Sequence, residues 1–176
     1  MPNKRFYNPI IKDEIEILLE SKHKLVFRTY LQPNGGQSGL HYHTNITETF
    51  KIIQGSLNIF HNGKERVLKT NDELSIKKFE SHKFFNKTND VVIFEVEIND
   101  PKEIMKGLQI IYGLANDRKV YKNGLPKNIL YTAIAINKMD AYIPNVPLFV
   151  QKVGISILAL VGKITGLESR LVSIYC

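Results

Sequence analysis

Residues 35–55, GGQSGLHYHTNITETFKIIQG, decide how this chain is read. The protein has 176 residues and five histidines, and two of the five, His41 and His43, stand one residue apart in this stretch. Glu48 follows, and a glycine closes each end. On a β-strand, side chains at i and i+2 share a face, so His41 and His43 are expected to project together while Tyr42 turns away. Glu48 opens the next β-prone run, in which Phe50 and Ile52 share its parity and Thr49 and Lys51 point outward. Two imidazoles and a carboxylate converging on one inner face are donors that suit a divalent transition metal.

Around this stretch, from Lys24 to Ile98, the chain is a series of short β-prone runs: KLVFRTYL, ETFKII, SLNIF, ERVLK, ELSI, HKFFN and VVIFEVEI. The breaks between them, PNGG, QG, HNG and TND, are turn-forming, a pattern that predicts an all-β sandwich or barrel. HNGKE reads as a hairpin tip. Upstream, NPIIKDEIEILLES fits a helix through Ile11, Ile15 and Leu18 or Leu19, and equally an edge strand through Ile15, Ile17 and Leu19. Downstream of Asn99 the texture turns helical. Asp100 is expected to cap, Pro101 to take the first helical position, and Ile104, Leu108, Ile111 and Ala115 to share a face. A loop, DRKVYKNGLP, leads to KNILYTAIAINKM, and a third helical stretch opens at Asn145 and Pro147 and ends near Gly166. The expected organisation is an N-terminal segment, 1–23, a β-barrel, 24–99, and a C-terminal helical extension, 100–176.

The opening stretch resembles the first motif of the cupin superfamily, G-x5-H-x-H-x4-E-x6-G, at every fixed position: Gly35, His41, His43, Glu48 and Gly55. The second cupin motif, G-x5-P-x-G-x2-H-x3-N, is met in part by NDELSIKKFESHKFFN, where His82 and Asn86 match and Asn71, Lys77 and Phe79 replace Gly, Pro and Gly. The resemblance covers about residues 24–98 and implies a mainly β, double-stranded β-helix (jelly-roll) barrel. It makes His82 the third histidine of a site with His41, His43 and Glu48, binding Fe, Mn, Ni, Zn or Cu. It also implies a homodimer, since cupins commonly pair through their sheets. The tail, with its GLP loop and terminal apolar helix, is similar to that of a group of bacterial single-domain cupins.

Two functions follow as expectations. One is a metal-dependent enzyme on a small molecule, with Fe(II) supporting dioxygenation and Mn, Ni or Zn supporting isomerisation or hydrolysis. The other is a ligand-binding or scaffold module whose tail docks a partner or a membrane surface. His23, beside two lysines, and His61, in the hairpin tip, are expected to be solvated; Asn86 is expected to close a turn. Phe50, Ile52, Phe84 and Phe94 are expected in the core. Arg28 and Tyr30 share a strand face and would meet an anionic substrate if that face were inward.

Formal net charge is +7. Residues 1–99 carry 14 Lys+Arg against 12 Asp+Glu, and residues 100–176 carry 10 against 5. The excess therefore sits in the extension and points to an acidic partner or an anionic surface. Scattered basic residues without an aromatic platform or a recognition motif argue against nucleic acid. Residues 141–162 hold one charge, Lys152, and the uncharged run Val153 to Gly162 is about half the length a bilayer span needs, so contact through 141–166 is expected inside the fold, across a dimer or along a membrane surface. Cys176, the one cysteine, allows no internal disulfide. The first residues lack the apolar run of a signal peptide, which predicts a cytoplasmic protein, with peripheral membrane attachment as the alternative.

Overall fold

The computed structural model describes residues 4–176. Its mainly β part is a jelly-roll barrel built from strands that alternate between core and surface. In β3 (Lys24–Leu31) and β10 (Val92–Asn99) every second residue is buried, as strand geometry requires when one face meets a core. These two pair antiparallel at the centre of a six-stranded sheet. β2 (Asp13–Glu20) and β1 (Arg5–Asn8) extend it on the β3 side, β5 (Glu48–Gln54) and β8 (Glu73–Ile76) on the β10 side. The second wall is a three-stranded sheet in which β6 (Ser56–His61) lies between β7 (Lys64–Lys69) and β9 (His82–Phe85). Phe50, Ile52, Leu57, Ile59, Phe84 and Phe94, drawn from both sheets, share one core cluster.

Several sequence alternatives resolve here. Residues 13–20 form strand β2, not a helix. Arg28 and Tyr30 lie on the outer face, Arg28 paired with Glu95 at 2.6 Å and the Tyr30 hydroxyl donating to Glu16 at 2.7 Å, so neither meets a barrel ligand. Asn86 does close a turn: its amide donates to Leu31 and Asp90 carbonyls, and its oxygen accepts from Thr88. Asn62 and Gly63, both at positive φ, make the two-residue hairpin loop between β6 and β7.

The turns of the two motifs hold their shape by different means. A side chain at Gly35 would meet the Ile11 carbonyl at 2.7 Å, and Gly55 has φ of 87°. In the second motif, where the pattern asks for glycine, Asn71 and Phe79 adopt φ of 74° and 67°. Asparagine tolerates that region; for Phe79 it costs about 1–2 kcal/mol. The Phe79 amide donates to the His43 carbonyl at 2.8 Å, which fixes the turn beside the histidines.

The extension folds back on the barrel as four helices: α1 (Ile104–Asn116), α2 (Ile129–Met139), α3 (Leu148–Ile164) and α4 (Leu167–Tyr175). The expected cap at Asp100 is not used. Asp100 and Lys102 have positive φ and α1 starts only at Ile104, after Glu103, without a side-chain cap. α1 is buried on two sides: Ile104, Met105 and Tyr112 pack on the barrel core, Ile110 and Leu114 on a second core with Ile134, Ala135 and Leu171. Asn128 caps α2 by accepting from the Leu130 and Tyr131 amides. α4, beyond Gly166, is an element the sequence pattern did not announce. Buried Lys138 ties α1, α2 and α4 together through Glu103 at 3.0 Å and Glu168 at 2.5 Å.

One buried contact fixes α1 to the sheet. The Tyr112 hydroxyl donates to Asp13 at 2.7 Å, and both side chains are enclosed. Burial pushes the Asp13 carboxyl up to about 7, against the pull of the Tyr112 hydrogen bond. An unfolded aspartate titrates near 3.9, so its contribution is fully present below that pH and is lost as pH rises to 7, a swing on the order of 4 kcal/mol at 1.36 kcal/mol per unit. Asp13→Asn keeps an acceptor for Tyr112 and removes the titration. Denaturant unfolding of both proteins is therefore expected to show the variant gaining on the wild type from pH 4 to 7; a gap that does not change with pH would rule this out.

Candidate metal centre

The segment between β3 and β5 carries β4 (Tyr42–His43), a two-residue strand paired with β11 (Ala141–Tyr142) from the extension. His41 precedes it and faces His82, the first residue of β9, across two backbone hydrogen bonds of 3.1 and 2.8 Å. The expected parity holds. Tyr42 turns away, to within 6.4 Å of the Phe79 ring and 6.0 Å of the Tyr142 ring. His41, His43 and His82 turn together, with ring centroids 4.5–5.5 Å apart. Each offers a nitrogen within 4.8 Å of the others. Glu48, at the head of β5, places Oε2 2.8 Å from His82 Nε2 and 3.6 Å from His43 Nε2. Beneath them lie Phe50, 6.1 Å from the His82 ring, and then Phe84 and Phe94.

Backbone carbonyls orient all three rings. Nδ1 of His41 donates to Gly39 at 3.3 Å, that of His82 to Glu80 at 3.3 Å, and that of His43 to both Met139 and Asp140 at 3.2 Å. With Nδ1 held by a carbonyl, each ring turns Nε2 toward the centre, the arrangement that outer-shell partners impose on metal-binding histidines. Among the described residues, the buried His43 Nε2 has no hydrogen-bond partner. Such an orphan costs free energy unless something fills its need. A cation shared with Glu48 Oε2, which also lies 2.8 Å from His82 Nε2, would fill it, so these residues fit a metal ion.

Charge is arranged in the same sense. Burial drives the half-buried His41 down to about 3, with His82 and His43 adding to the effect and Glu48 opposing it. Burial acts to lower His43 also, but Glu48, and then Asp140, outweigh it and raise its pKa. Burial acts to raise Glu48, yet His43 and His82 hold it well below the usual carboxylate range. At neutral pH His41 is a neutral donor and Glu48 an anion.

Two residues near the site escaped the sequence reading. His61 is not solvated: it ends β6, buried, with Nε2 2.9 Å from Glu80 Oε2. Its parity with Leu57 and Ile59, both in the core, was the signal for an inward ring. Glu80 also accepts from the Lys77 amide and offers its carbonyl to His82, so the pair braces the turn that delivers His82. Asp140, the left-handed residue closing α2, accepts from the Thr44 and Asn45 amides at 2.7 Å and from the Thr44 hydroxyl at 2.8 Å. No local pattern links Asp140 to residues almost a hundred positions earlier. His23, as expected, is exposed, 3.6 Å from Asp100.

Residues 27–98 match the family model described as "Cupin domain"; the helical extension lies outside the match. A sugar phosphate isomerase of the cupin superfamily from Silicibacter pomeroyi aligns with 55% of this chain and 71% of its own, at 18% identity and a TM-score of 0.49. A predicted oxalate decarboxylase from Thermotoga maritima aligns with 56% of this chain and 92% of its own, at 29% identity and a TM-score of 0.48. An uncharacterised double-stranded β-helix protein from Klebsiella pneumoniae aligns with 48% of this chain and 74% of its own, at 22% identity and a TM-score of 0.45. No curated protein sequence matches the chain.

Proposed function

Because residues 27–98 of this chain belong to the cupin family, we propose that the protein binds one divalent transition metal through His41, His43, His82 and Glu48 and uses it on a small molecule. The observation that carries this reading is the buried Nε2 of His43, without a hydrogen-bond partner among the described residues and 3.6 Å from Glu48, among two further oriented imidazoles. When bound, the ion supplies Lewis acidity toward a carbonyl or enediol or, if it is iron, redox chemistry.

The chain's own residues do the rest. Glu48 keeps its charge without a proton at working pH, because His43 and His82 hold its pKa low. His41, the least buried of the three rings, stands toward solvent, where a ligand would arrive; Phe50, Phe84 and Phe94 close the opposite side with apolar surface and exclude water there. Donor chemistry admits Fe, Mn, Ni, Zn or Cu, and dioxygenation or isomerisation according to which is held.

Elemental analysis of tag-free protein, followed by titration of the stripped protein with each of these metals, tests the proposal. We expect about one ion per chain for a site of this donor set. Protein that emerges metal-free and takes up none of the five ions would overturn it.

A further inference from the structure

α3 is an amphipathic helix turned inside out. Its small residues, Ala159 and Gly162, face the protein, and a side chain at Gly162 would collide with Ile134 of α2 at 2.6 Å. Its large apolar residues face away. Phe149 and Ile164, at opposite ends, are 77% and 76% exposed, and Val150, Val153, Ile157 and Leu160 between them are all exposed. At 100° per residue these side chains sweep about 100° of arc, and no charged residue falls within it. A surface helix ordinarily shows the reverse polarity. Several large side chains open in one contiguous band reach or exceed the apolar patch a monomer usually leaves uncovered, ~300–600 Å².

The charges around the band indicate what covers it. From Ala141 to Leu167 the chain contains Lys152 and Lys163 and no acidic residue. Both lysines are exposed and border the apolar arc on one side. The nearest carboxylates, Glu103, Glu168 and Asp140, border the same side of the helix but are engaged, the first two by Lys138 and the third by the Thr44 and Asn45 amides. An apolar face edged by cations, with its neighbouring carboxylates already partnered, complements an anionic lipid surface, into which the face sinks while the lysines reach headgroups. A second copy of the chain fits less well. Val150, Val153, Ile157, Leu160 and Ile164 do trace a heptad seam, but over about two heptads only, and the band spreads past it to Phe149 and Val161. The like-charged flanks offer no pairing across such a seam. Crossing the bilayer is also disfavoured by shape. Among the described residues no single helix is long and apolar enough to span a membrane, and α3 and α4, which together would be, are bent by 82°.

We propose that the exposed face of α3 docks this protein in the plane of an anionic membrane surface. The inference stands independently of whether the barrel holds a metal. The test is flotation of the full chain with vesicles of phosphatidylcholine alone and of phosphatidylcholine mixed with phosphatidylglycerol, alongside its oligomeric state in solution. The wild type is expected to float with the mixed vesicles and not with the neutral ones, and to be released severalfold by high salt. Ile157→Glu is expected to lower the bound fraction by about tenfold or more, and Lys163→Glu, which removes no apolar surface, by severalfold. Wild-type protein that stays down with both vesicle types overturns the proposal. So does flotation unaffected by either substitution. A lipid-independent dimer that Ile157→Glu dissociates, without flotation, would assign the face to a second copy instead.

Discussion

The His41→Ala/His43→Ala double variant is expected to carry no transition metal and still to fold. Two of the four proposed donors would be gone, and one of the lost atoms, His43 Nε2, has no hydrogen-bond partner among the described residues. What the fold loses is small. Neither ring belongs to the apolar core cluster; the contacts forfeited are the hydrogen bonds from Nδ1 to the carbonyls of Gly39, Met139 and Asp140, each worth about 1 kcal/mol, and the 3.6 Å pairing of His43 with Glu48, which keeps His82 at 2.8 Å. The backbone pairing of His41 with His82 does not depend on either side chain. Elemental analysis and circular dichroism of the purified variant check both halves of the expectation. Stoichiometric metal retained in a folded double variant would place the ion elsewhere and remove the basis of the proposed function.

Asp140→Ala is expected to weaken metal binding by 10- to 100-fold, the range seen when an outer-shell partner is removed, although Asp140 is not among the proposed ligands. Its carboxylate holds the Thr44–Asn45 turn by two amides, a hydroxyl and the Asn45 side-chain amide at 3.0 Å. Without it the turn after His43 is free to drift from Met139 and Asp140, whose carbonyls fix that ring. Alanine is also poorly suited to the left-handed backbone at this position, φ 52°. Asp140→Asn separates the two causes: it tolerates the backbone but accepts fewer hydrogen bonds, and should fall between wild type and alanine in a competition titration with a chromophoric chelator. Equal affinity in all three proteins would show that the extension has no part in orienting His43.

The barrel and most of its site were legible because strands encode their faces locally. Alternation alone set His41 and His43 on one side and put Glu48 with Phe50 and Ile52, and apolar character assigned Phe84 and Phe94 to the core. The third histidine needed the family pattern, because nothing in residues 71–86 says which strand lies beside which. The same alternation, followed through Leu57 and Ile59, would have turned His61 inward; the adjoining Asn-Gly turn drew it to the surface instead. Long-range polar pairings left no trace in the linear pattern. Asp13 with Tyr112, Lys138 with Glu103 and Glu168, and Asp140 with Thr44 each join segments whose proximity exists only once the helices have folded back. α4 was missed for a related reason: Gly166 reads as a stop, yet it is a left-handed bend from which the chain sets off again at 82°.

The strand pair β4–β11 has a practical corollary. Anyone trimming this polypeptide to residues 27–98, the segment that matches the cupin-domain model, would discard Met139 and Asp140, the acceptors for His43 Nδ1, with Ala141 and Tyr142, which pair with Tyr42 and His43. Such a truncated barrel would keep every proposed donor atom but lose the carbonyls that orient the His43 ring, so chelation measured on it would underreport the intact chain.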